Sequence, residues 1–124
     1  MESEKKTESR TITFEKLNLL LMNHQGTWVL QCLQYDIAAQ GETIDAAKRA
    51  FARAFLGQVI VNIEHGKEAM ADVPRAPTEY WDRFRKAKAV QGDFVEVLTA
   101  PPDDLNVPPA WMVHAMSNEL RLAD

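Results

Sequence analysis

Apolar and polar positions alternate through Ile12 to Met22, with Leu17, Leu19 and Leu21 set against Lys16, Asn18 and Leu20. A period of two predicts a half-buried β-strand. Leu20 and Met22 are apolar on the opposite side, so that face also calls for a cover, from a helix or from a second subunit. Asn23-His24-Gln25-Gly26 reads as a turn, because Gly26 supplies a permissive backbone and Asn23 tolerates left-handed conformations. Trp28 to Leu33 follows as a second strand, with Trp28, Leu30 and Cys32 on one face, and the two strands form a β-hairpin. Tyr35 to Gln40 is a third short strand that stops at Gly41.

The period then changes. Ile44, Ala47, Phe51, Ala54, Phe55, Val59 and Ile63 recur at helical spacing and predict a helix from Ile44 to His65 with one apolar stripe. Thr43 is its natural N-cap. Glu42 and Asp45 sit near the positive end of the helix dipole, while Ala46 stands where a capping box would place Glu or Gln. Lys48, Arg49 and Arg53 fall mainly on the other side. Gly57 costs roughly 1 kcal/mol against Ala inside the helix. Gly66 is the expected stop, with His65 close to the carbonyl end.

Pro74 and Pro77 mark a linker, and Thr78 is expected to cap a second helix over Glu79–Val90. Its apolar residues are Tyr80, Trp81, Phe84 and Ala87, and Glu79–Arg83 and Asp82–Lys86 are i,i+4 pairs worth a few tenths of a kcal/mol each. Further on, Phe94–Leu98 reads as a short strand, and Pro101-Pro102 and Pro108-Pro109 bracket an irregular loop. Trp111–Met116 could open a helix, whereas Leu120-Arg121-Leu122 alternates like a strand, so helix and strand both stay open for the final segment. The expectation is an α+β fold: a three-stranded antiparallel β-sheet, a packed α-helix, a second helix and a Pro-rich C-terminal segment. Residues 1–10 read as a disordered tail, 11–77 as the β-β-β-α core, and 78–124 as a C-terminal helix and extension.

Composition narrows the class. The chain has 124 residues, 46% of them hydrophobic and 26% charged, the balance of one globular domain. A single cysteine, Cys32, leaves no internal disulfide and suits a reducing cytoplasm. Met1 to Arg10 is charged and polar without an apolar run, which is not the pattern of a secretory signal, and Leu19–Met22 is far too short to span a bilayer. The net charge is −4. Arg75, Arg83, Arg85, Lys86 and Lys88 outweigh Glu79 and Asp82 in one stretch. Beyond Gly92, Asp93, Glu96, Asp103, Asp104, Glu119 and Asp124 face only Arg121. That acidic end argues against a DNA-binding arm and would suit a basic protein partner.

The run Trp28-Val29-Leu30-Gln31-Cys32-Leu33-Gln34-Tyr35-Asp36-Ile37-Ala38-Ala39-Gln40-Gly41-Glu42-Thr43, continued by Ile44-Asp45-Ala46-Ala47, resembles the HicB-like family. The likeness extends over Ile12 to Pro77 and is carried chiefly by Gln40-Gly41-Glu42-Thr43 after the strands. It implies a three-stranded sheet with one helix packed on it and self-association into dimers or larger assemblies. The best-known members of that family are antitoxins that block HicA, a small basic ribonuclease, and they often add a DNA-binding segment at the C-terminus. The acidic, Pro-rich stretch after Gly92 departs from that pattern, as a solo-type member would.

Candidate chemistry is sparse. His24, His65 and His114 have no ligand-type residue at metal-binding spacing, so the expectation is no metal and no cofactor. Cys32, on the inward face of the second strand, reads as a small buried hydrophobe. Asp36, Glu42 and Glu15 are too dispersed for a general acid–base pair or a two-metal site, and there is no P-loop, dinucleotide turn or nucleophile elbow. The chain is therefore expected not to be an enzyme. Tyr80, Trp81 and Phe84 are the candidate partner-binding residues, since Trp and Tyr are common interface anchors. Their interleaving with Arg83, Arg85, Lys86 and Lys88 offers a second reading, a nucleic-acid binder acting through residues 78–90. Against it, the aromatic residues share one side of the helix and the bases lie mostly on the other.

Overall fold

The structure is a computed structural model that describes residues 10–90 and 111–123. In chain order it contains β1 (Arg10–His24), β2 (Thr27–Cys32), β3 (Ala38–Gly41), α1 (Ile44–Glu64), α2 (Thr78–Lys86), β4 (Lys88–Ala89) and β5 (Trp111–Leu122). The strands make one sheet in the order β3-β2-β1-β5-β4. The β1–β2, β2–β3 and β4–β5 pairs are antiparallel, and β5 runs parallel to β1. The α+β class and the β-β-β-α order agree with the expectation; the sheet is larger and mixed.

The hairpin closes on Gln25 and Gly26 alone, with His24 opposite Thr27. Both loop residues have positive φ, 55° and 92°, the backbone of the tight turn whose twist matches flanking strands. Asn23 Oδ1 accepts the Gly26 N–H at 3.0 Å and braces it. Between Phe14 and Leu17 the register with β5 shifts. This irregularity lets Phe14 and Leu17, an odd number of residues apart, enter the same core.

Two cores lie on opposite faces of the sheet. Leu17, Leu19, Leu21, Leu30 and Cys32 pack with Phe51, Phe55, Leu56 and Val59 of α1. The Phe14 ring meets Tyr35 and Phe55 edge-on, at centroid distances of 5.8 and 5.0 Å. Leu20, Met22 and Leu33 pack on the other face with Ala76 and Phe84, and Tyr80, Trp81 and Ala87 adjoin them. The apolar second face of β1 is thus covered by α2.

Several expectations need correcting. The third strand begins at Ala38, not Tyr35, because the chain bends first: Cys32 N–H donates to Ile37 O at 2.9 Å, and the Tyr35 ring turns inward to Phe14 and Phe55. On α1, Ala54 is exposed, while Ala52, Leu56 and Ile60 form a second buried row. A helix lying against a broad sheet with chain on its flank buries a wider arc than one stripe. Thr78 is the first helical residue rather than the cap. Pro77 precedes it with no side-chain cap bond, its carbonyl accepting from Tyr80 N–H at 3.0 Å. The second helix stops at Lys86 because Ala87 turns extended and Lys88–Ala89 join β5 as β4. Trp111–Leu122 is a strand throughout, because it finds the long central strand β1 as a partner. The expected strand Phe94–Leu98 and the Pro-rich loop lie outside the described residues. So does the expected tail, apart from Arg10, which opens β1.

Candidate interaction surface

The residues that carry the resemblance build a strand-to-helix turn. A Cβ on Gly41 would stand 2.6 Å from Ala47 N and 2.7 Å from Ala46 Cβ. Only glycine lets β3 pass this close to the start of α1. Thr43 then caps the helix, its Oγ1 accepting from Ala46 N–H at 3.0 Å. Gly41 and Thr43 therefore have packing and capping roles that need no ligand.

Of the three aromatic candidates, Phe84 is buried at 6% exposure in the second core, and Tyr80 and Trp81 are half-buried beside it. Trp81 Nε1 donates to Ala76 O at 3.2 Å, and the Arg75 guanidinium lies 4.3 Å from the Trp81 ring centroid. Arg121 stands over the Phe84 ring at 4.6 Å and donates to Phe84 O at 2.9 Å. The structure brings the three together, and much of their surface is turned onto the chain's own sheet. Arg83, Arg85, Lys86 and Lys88 remain exposed, with Arg85 paired to Asp82.

The other candidates are scattered. His24 is exposed in the hairpin end, and His65 Nδ1 lies 2.8 Å from Val61 O at the end of α1. The side chains of His114 and Glu15 are outside the described ones. Asp36 Oδ1 accepts from Gln31 Nε2 at 2.9 Å, which satisfies part of a buried amide. Cys32 is fully buried, and burial pushes its thiol up to about 11. Among the described residues no group of three His, Cys, Asp or Glu could hold a metal ion, and no helix is long and apolar enough to cross a membrane.

Sequence reasoning missed two features. Asn62, buried at the end of α1, ties down the loop that follows it, and nothing in the helical periodicity marks it. The second is β3 as an end strand of the sheet. Its side chains Ala38 and Gln40 are exposed, and its four residues include no charge, no Pro and no break in register with β2. Asp36, Glu42 and Asp45 are exposed around it. At the opposite end of the sheet, β4 has two residues and carries exposed Lys88. Sheet edges are commonly blunted by shortness and by lysine; β4 shows both devices and β3 has no lysine. No family model, no curated protein and no solved structure matches this chain.

Proposed function

We propose that this chain is a non-catalytic protein-binding and self-associating module of the kind found in HicB-type antitoxins. The supporting observation is the disposition of its sheet. Helix α1 occupies one face and α2 the other, so among the described residues the main-chain groups along the sheet's edges, those of the end strand β3 included, are what the sheet can still offer another chain. An end strand of this kind is a ready template for strand addition. The acids Asp36, Glu42 and Asp45 near it would draw a basic partner and set its orientation. The resemblance to HicB-like chains makes a small basic HicA-like ribonuclease the heterologous partner to test, with neutralisation by binding. A reducing cytoplasm suits the buried thiol of Cys32.

The test is co-expression with the product of the adjacent reading frame, followed by native mass spectrometry. A homo-oligomer or a mixed complex is expected. A chain that stays monomeric and brings no companion would overturn the reading.

Exposed Arg83, Arg85, Lys86 and Lys88 favour a second reading, nucleic-acid binding through α2. Weighing against it, Phe84 is in the core and the Trp81 ring is covered by Arg75, which leaves few free ring faces for stacking bases. Filter binding at about 50 mM salt, where phosphate contacts are strongest, decides it: no retention ends this reading.

A further inference from the structure

We infer that Asp36 and Gln31 together form a subsite for one guanidinium group, carried by an arginine of a basic protein partner. The inference rests on the protein-binding reading above and adds the chemistry by which that partner is held. Three observations carry it.

The first is a buried acceptor with nothing to accept. Gln31, on β2, is 3% exposed. Its Nε2 donates to Cys32 O at 2.8 Å and to Asp36 Oδ1 at 2.9 Å. Both are acceptors, which fixes the way the carboxamide points. Its Oε1 has no donor among the described residues. Buried polar groups are nearly always paired, and an orphan is a cost that an apolar side chain would not carry. The oxygen shares its carbon with the nitrogen bonded to Asp36, so it lies beside that carboxylate.

The second is that Asp36 is held in place and yet exposed. Its N–H donates to Pro74 O at 2.7 Å, and its Oδ1 takes the Gln31 bond. Among the described residues its Oδ2 has no donor and no cation pairs with it. Arg75, next to Pro74, is turned onto the Trp81 ring instead. A carboxylate positioned in advance loses little freedom on binding. The third is access. Gln31 stands directly opposite Leu20 on β1 and Ala38 on β3, so the three share the face that carries α2. Ala38 is exposed, so the β3 neighbour of the carboxamide is a single methyl group.

Two adjacent acceptors, one of them charged, call for a positively charged pair of donors. A guanidinium presents parallel N–H groups in a rigid fork, whereas an ammonium is a strongly hydrated point charge. Calcium or magnesium would want about six oxygens or more.

The test is a titration of the isotope-labelled full chain with acetyl-arginine amide, and in parallel with its uncharged counterpart acetyl-citrulline amide. The readout is the side-chain amide resonance of Gln31. It should shift and saturate with the arginine compound and stay still with the citrulline one. Asp36→Asn keeps an acceptor for Gln31 and leaves the Pro74 bond intact, so the unfolding temperature should hold. That variant should bind the arginine compound about 10-fold more weakly, as should Gln31→Leu. A Gln31 resonance that never moves, which would mean water alone completes the amide, overturns the inference. So does an equal response to citrulline, or affinity indifferent to Asp36→Asn. None of these outcomes touches the protein-binding reading, which the co-expression test decides separately.

Discussion

The side-chain oxygen of Asn62 accepts the Met70 N–H at 3.2 Å across the loop that follows α1. Met70 has φ of 65°, a left-handed backbone that non-glycine residues seldom adopt. It holds that conformation because the Asn62 bond and the burial of its side chain at 4% exposure both favour it. Asn62 is itself buried and also accepts from Gln58 Nε2 at 3.1 Å. Asn62→Ala strands the Met70 amide, so a loss of about 2 kcal/mol is expected in urea denaturation. Hydrogen exchange should speed first between Gly66 and Val73.

Gly41 and Thr43 should behave as structural residues of different weight. Gly41→Ala forces backbone apart at the Ala47 amide and should cost roughly 2 kcal/mol or more, in the range of overpacking. Thr43→Ala removes one cap bond and should cost about 1 kcal/mol. Thermal unfolding of the two variants checks the order. Equal losses would contradict the steric account of Gly41.

The thiol of Cys32 should make stability fall in alkali. Its ordinary value of 9.0 is raised to about 11 by burial, so the folded chain keeps its proton while the unfolded chain releases one. The unfolded state binds fewer protons across that window, and unfolding free energy therefore drops as pH rises from 9 to 11. The full loss is on the order of 3 kcal/mol. In Cys32→Ala this component should vanish, leaving a flatter stability–pH curve over the same range. Native alkylation by iodoacetamide at neutral pH should be slow, since the thiol is both buried and protonated.

Helix α2 is held chiefly by Phe84. Phe84→Ala should cost about 3 to 4 kcal/mol, as for other buried phenylalanines, and should loosen Tyr80 and Trp81, visible as lost near-ultraviolet dichroism. Arg75→Ala removes the cation over Trp81 and should cost below about 1 kcal/mol. A Phe84→Ala variant as stable as the parent would show that α2 does not cover the Leu20/Met22 face.

Local patterning was enough for the parts of this protein whose partners are close in sequence. The β1–β2 hairpin follows from alternation around Gln25-Gly26, and α1 follows from its stripe and the Thr43 cap. Even the need for a second cover on β1 is readable in Leu20 and Met22. Tertiary structure decided the rest. β5 is a strand because β1, distant in the chain, supplies its hydrogen bonds, and α2 ends early because β5 draws Lys88 and Ala89 into the sheet. It also decided that Phe84 faces inward and that β3 stands at the end of the sheet. Periodicity reports only which side of an element avoids water. Which element meets that side, and which strand is left with an open edge, depends on contacts between residues far apart in the chain.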